Sequence, residues 1–112
     1  MPFIIVTYLR RERRNWGLTQ RDLAFLVGLK SRTQISALEN GAVRPSVEQA
    51  LIFQLLFGMT AAQLFPGVVR ESEEHALRRI RAMIERTQAD STVRADRKSV
   101  LLRQSLLRAV MS

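Results

Sequence analysis

Arg32, Thr33, Gln34, Ser36 and Ala37 surround two apolar residues, Ile35 and Leu38. On a helix Ile35 and Leu38 fall on one face, and the other five form a short, polar, uncluttered face opposite. That face suits the edges of base pairs better than a protein core. Arginine can donate two hydrogen bonds to guanine O6 and N7, threonine can meet a base edge or a thymine methyl, and alanine can offer apolar contact. Such side chains read nothing unless their helix is held at a defined depth and angle, so the flanking segments must supply a rigid support.

The support is legible on both sides. Thr19 is a good N-cap, and Leu23, Ala24 and Val27 give the spacing of one buried helix face. Gly28 stops that helix, since a left-handed residue costs glycine almost nothing. Ser31 caps the next helix, which shows Ile35 and Leu38 inward and ends at Asn40-Gly41. Residues 19–41 therefore read as two short helices joined by a tight turn. Upstream, a helix is expected from about Ile5 to Asn15, closed at Gly17, with Ile5, Leu9 and Trp16 inward. Pro2 suits a first turn, although the β-branched run 4–7 fits an extended arm equally well. Arg10, Arg11 and Arg14 make either a solvated face or phosphate contacts.

Downstream, Ser46 with Gln49 forms a capping box ahead of the apolar run 47–57, which ends at Gly58. Thr60 with Gln63 repeats the signal for a short fifth helix, stopped by Pro66-Gly67. Beyond Gly67, residues 71–89 place Ala76, Leu77, Ile80, Met83, Ile84 and Thr87 on one stripe of an amphipathic helix. Asp90 and Ser91 break it. A last helix is expected over 92–110, with Val100, Leu101, Leu102, Leu106, Leu107, Val110 and Met111 as a broad apolar end. The expected architecture is all-α: a five-helix unit over 1–67 and a two-helix extension over 68–112.

Bulk properties narrow the function. Without cysteine the chain has no disulfide or thiolate–metal site, and His75 alone makes no histidine metal centre, so neither metal nor cofactor is expected. Phe3 to Val6 is too short for a signal-peptide core and no apolar run could span a bilayer, which points to the cytoplasm and away from membranes. The formal charge of +8 favours a polyanionic partner, nucleic acid first. It is evenly spread, with eight basic and four acidic groups in 1–69 and ten and six in 70–112. Ser31, Ser36, His75 and the scattered carboxylates form no nucleophile, base and orienter set, and no phosphate-cradling glycine motif occurs. No enzyme is expected, and no catalytic residue.

The ordered set Leu9, Arg13, Gly17-Leu18-Thr19-Gln20, Leu23-Ala24, Val27-Gly28, Ile35-Ser36, Leu38-Glu39-Asn40-Gly41, Arg44-Pro45-Ser46, Gly58 and Gln63-Leu64-Phe65 resembles the lambdoid phage repressor and Cro proteins, the XRE family of helix-turn-helix proteins. The likeness covers roughly residues 5–66. It implies a five-helix lambda-repressor-like DNA-binding domain whose recognition helix carries Arg32, Thr33, Ser36 and Ala37 toward bases. It implies backbone contacts from Gln20, Lys30, Gln34, Asn40 and the loop through Arg44. It also implies a buried ion pair, Arg13 with Glu39, tying helix one to the end of helix three. A phosphate clamp is the alternative role for Arg32.

Two departures from the pattern carry expectations of their own. The turn Gly28-Leu29-Lys30-Ser31 is one residue longer than usual, which shifts which side chains reach bases. Phe25, Leu26, Ile52 and Leu55 are apolar where the family shows polar residues, so a second covering surface is expected. The C-terminal helices, through Leu102, Leu106 and Leu107, are the cover, within one chain or across a homodimer. The function expected is a sequence-specific regulator, a repressor binding an inverted-repeat operator as a dimer. The alternative is an antitoxin-like or adaptor module whose C-terminal helices hold a partner protein.

Overall fold

A computed structural model describes residues 6–88 and 93–111, without the side chains of 93–95. The seven helices among them are α1 Leu9–Asn15, α2 Gln20–Val27, α3 Arg32–Glu39, α4 Val47–Phe57, α5 Ala61–Leu64, α6 Pro66–Gln88 and α7 Val93–Met111. No strand occurs among the described residues. The chain divides into two compact units between Arg70 and Glu71, with α6 running through the division.

Local chemistry sets most helix ends. Thr19 accepts from the Asp22 amide while the Asp22 carboxylate accepts from the Thr19 amide, closing a capping box on α2. Ser46 with Gln49 and Thr60 with Gln63 do the same for α4 and α5. Gly28, at φ 79°, closes α2: its amide donates to Phe25 and that of Leu29 to Ala24. These paired bonds make a Schellman stop. Leu29 then packs on the core, so the turn is anchored at both ends.

Four local expectations are corrected. The α1 helix starts at Leu9, because the carbonyl of Val6 accepts from Gly67 and the amide of Tyr8 donates to the Leu64 carbonyl. Trp16 is 68% exposed. Leu9 and Arg13 hold the inward face, and α1 ends at Asn15, so Trp16 leaves the spiral before its turn comes round. The α5 helix ends before Pro66, as expected, but Pro66 itself opens α6, ahead of the start expected at residue 71, since a first-turn residue needs no amide hydrogen. Ser31 stands at the N-cap of α3 in extended conformation, but its side chain makes no capping bond. The expectations for Pro2, Phe3, Ile5, the break at Asp90-Ser91 and the start of the last helix at Thr92 lie outside the described residues.

The first unit is built around Leu9, Leu23, Ala24, Val27, Ile35, Leu38, Phe53, Leu64 and Phe65, with Leu29, Ile52, Phe57, Met59 and Val68 packed at its edge. Phe53 anchors it, its ring 5.8 Å from Phe65 and 6.5 Å from Phe57. The α4 helix is apolar nearly all round. Phe53 is its fully buried residue, whereas Val47, Leu51 and Leu55 form an exposed stripe at four-residue spacing.

In the second unit, Glu73, Ala76, Leu77 and Ile80 share a cleft with Ser105, Arg108 and Ala109, so early α6 lies beside late α7, as in an antiparallel pair. Ile84 is buried, and Ser99, Leu102, Ser105, Leu106 and Ala109 form a half-buried stripe on α7. Leu107 is instead exposed, as are Val100, Val110 and Met111.

Candidate nucleic-acid interface

The glutamate at the end of α3 ties three helices together. Glu39 Oε2 accepts from Arg13 Nε at 2.6 Å, and Oε1 accepts from Arg13 Nη2 at 3.3 Å, Gln20 Nε2 at 3.0 Å and Arg10 Nε at 3.3 Å. Arg13 Nη1 donates to the Leu18 carbonyl at 2.9 Å, which fixes the loop ahead of α2. Arg10 also donates to Asn40 Oδ1, and Asn40 Nδ2 donates to Ser36 Oγ at 3.4 Å. The Arg13–Glu39 pair expected from the resemblance is therefore the centre of a larger cluster. Among the described residues no buried side-chain donor or acceptor is left without a partner.

Burial pushes the Glu39 carboxyl up, but hydrogen bonds from Arg13, Gln20 and Arg10 and the charge of Arg13 outweigh it and hold the group below the usual carboxylate range. Glu39 is thus a buried anion satisfied from α1 and α2. Buried, fully bonded pairs of this kind fix geometry better than they add stability. Here they set the azimuth and depth of α3 on the body.

Against that support, Lys30, Arg32, Thr33 and Gln34 are exposed, while Ser36 and Ala37 are half-buried. Arg32 is the first residue of α3 and Arg21 the second of α2. A cation in a first turn opposes the helix dipole, and neither arginine has an ion pair among the described residues. Both are placed against local stability, as expected of groups reserved for an anion. One cleft is lined by Arg10, Arg14, Gln20, Arg21 and Arg32; a second is lined by Arg21, Phe25, Lys30, Arg32 and Thr33. Arg11 is turned elsewhere, its guanidinium 4.3 Å from the centre of the Tyr8 ring.

Of the expected site residues, the structure places Gln20 with Arg32 on one cleft and Lys30, Arg32 and Thr33 on the other, and it bonds Asn40 to Ser36 farther along α3. Gln34 is exposed on α3, and Arg44 is exposed in the loop before α4. Arg21 was not expected at the site, and for Arg14 a phosphate contact was one of two open readings. The signal for Arg21 was its first-turn position beside Gln20. Arg14 carried no signal beyond charge. Of the apolar residues assigned to packing, Phe25 and Leu55 are 83% and 84% exposed, Leu26 is 42% exposed, and Ile52 packs at the core edge. Among the described residues no three histidines or carboxylates are grouped so as to hold a metal ion, and no helix is long and apolar enough to cross a membrane.

A family model described as helix-turn-helix matches residues 9–64. No curated protein and no solved structure matches the chain.

Proposed function

The chain belongs to the XRE, lambda-repressor-like helix-turn-helix family of DNA-binding transcription regulators, and from that premise we propose that it is a sequence-specific repressor acting as a homodimer on an inverted-repeat operator. The observation that carries the reading is Arg32: an exposed guanidinium, without an ion pair among the described residues, at the start of a helix whose far end is locked by Glu39. A locked helix presents its first turn to the major groove at one depth, the condition for a bidentate guanine contact.

Thr33, Ser36 and Ala37 complete the base-facing surface. Gln20 uses one amide hydrogen on Glu39 and has a second for a phosphate oxygen, and Lys30, Gln34, Asn40 and Arg44 fall at backbone positions. Arg10 holds Asn40, so that contact is braced as well. Repression needs no further surface, since a dimer seated across a promoter excludes other proteins from it.

The test is enrichment of duplexes from a random-sequence pool by the full-length chain. A defined inverted repeat should emerge and outcompete its scrambled counterpart at physiological salt. Equal binding of the two would overturn sequence-specific regulation.

The second unit is the proposed dimerisation element. Its α7 helix carries two apolar stripes: Leu102 and Leu106, half-buried in the helix pair, and the exposed Val100, Leu107 and Met111. The exposed stripe, at helical spacing, suits a second copy of the same helix; an inverted-repeat operator asks a dimer for two recognition helices about 34 Å apart. Leu107→Arg should convert the dimer to monomer in sedimentation equilibrium without loss of helicity, because Leu107 is 62% exposed. A wild-type chain that sediments as a monomer would turn this stripe over to a different partner protein.

A further inference from the structure

Phe25 is the one large aromatic side chain in the surface formed by α2 and the start of α3, and it is 83% exposed. By residue type alone it is assigned to packing. Its surroundings are those of a different role, because it lines one cleft with Arg21, Lys30, Arg32 and Thr33. Arg21 lies one turn before Phe25 on the same side of α2, and Lys30 and Arg32 bracket the N-cap of α3. None of the three cations has an ion pair among the described residues.

An occupant of this cleft must offer negative charge to three cations and an apolar patch to a phenyl ring within a few ångströms. A second copy of the chain docked here through the same face would bring the same cations and repel. Duplex DNA meets both requirements, since its phosphates alternate with apolar deoxyribose carbons and thymine methyls stand in the major groove.

We propose that Phe25 is a DNA-contacting residue. Its ring packs on the apolar surface of the nucleotide leading into the groove read by Arg32 and Thr33, while Arg21 and Lys30 hold the flanking phosphates. The inference rests on the DNA-binding reading and extends it from α3 onto α2. The apolar surface is either deoxyribose carbon or the thymine 5-methyl group, and the two are separable.

The test uses the full-length chain and a duplex enriched from a random-sequence pool, followed by fluorescence anisotropy over a range of salt concentrations. Phe25→Ala should bind on the order of tenfold more weakly with an unchanged salt slope, because an apolar contact releases no counterions. Arg21→Ala should reduce the slope by about one. Phe25→Ala should keep the wild-type unfolding temperature and Arg21→Ala should keep or slightly raise it, as both side chains are exposed and Arg21 opposes the α2 dipole. Replacing thymine by deoxyuridine in the duplex identifies the contact. If wild type weakens to the level of Phe25→Ala and that variant loses nothing further, the ring lies on a methyl; if wild type is unaffected and Phe25→Ala remains weak, it lies on sugar.

Phe25→Ala binding as tightly as wild type at every salt concentration would overturn the proposal while leaving the DNA-binding reading standing. Changed self-association of that variant would then assign the ring to a protein contact. Failure of wild type to prefer the enriched duplex over its scrambled counterpart would overturn both.

Discussion

Glu39→Ala is expected to destabilise the first unit by about 3–5 kcal/mol, the cost of removing one partner from a buried, hydrogen-bonded ion pair. The Glu39 side chain is fully buried and that of Arg13 is 10% exposed. Removing the carboxylate leaves the guanidinium in a low-dielectric site with only the Leu18 carbonyl to accept from it. It also strips an acceptor from Gln20 and Arg10. Domains are commonly stable by about 5–15 kcal/mol in all, so the loss is a large share. Urea unfolding with far-UV circular dichroism measures it, and a loss under about 1 kcal/mol would remove Glu39 from its structural role. Glu39→Gln should fall between, because its amide nitrogen would face arginine donors in place of an acceptor.

The same carboxylate sets an acid limb. Its pKa in the folded chain is lowered from an ordinary value of 4.5. A carboxylate depressed on folding stabilises the fold above its unfolded pKa, and that contribution disappears as pH falls toward the folded value. The stability difference between wild type and Glu39→Gln should therefore be constant above about pH 5 and shrink below it. The Asp22 carboxyl is also lowered, by hydrogen bonds from the Thr19 amide and hydroxyl. It is present in both proteins, so the difference isolates Glu39.

Arg32→Ala should weaken the preferred duplex by about 1–3 kcal/mol and erase preference at one base pair. The sharper diagnostic is the pattern across sequences. Removing a guanine-reading side chain costs little on a duplex already mutated at that base pair, whereas removing a phosphate-binding one costs the same everywhere. Gln20→Ala is the internal comparison, expected to lower binding to preferred and mutated duplexes alike. Arg32→Lys separates charge from shape, since lysine keeps the charge without the planar fork. Rescue by lysine, together with a uniform loss for Arg32→Ala and a reduced salt slope, would move Arg32 to the phosphates.

Helix existence and most helix ends in this protein are properties of short stretches, and the sequence alone makes them legible. The capping residues Thr19, Ser46 and Thr60, with partners three residues on, act within one turn of chain. So does the left-handed stop at Gly28. The same locality makes the inward faces of α2 and α3 readable from Leu23, Ala24, Val27, Ile35 and Leu38. The Arg13–Glu39 pair was legible only through family resemblance, because nothing local joins residues 26 positions apart.

Tertiary structure decided the rest, wherever a residue's fate depends on chain distant in sequence. Trp16 and Leu9 look alike as apolar residues, but α1 ends before Trp16 can turn inward. Pro66 reads as a stop, and α5 does end before it, but it also starts α6, with Gly67 and Leu64 bonded back to Val6 and Tyr8. On α4, apolar nearly all round, periodicity could not say that Phe53 faces the core and Leu55 faces water. The surface proposed to hold DNA follows the same rule. Arg32 was visible as a candidate reader, but only the packing of α2 against α3 places Arg21 and Phe25 beside it.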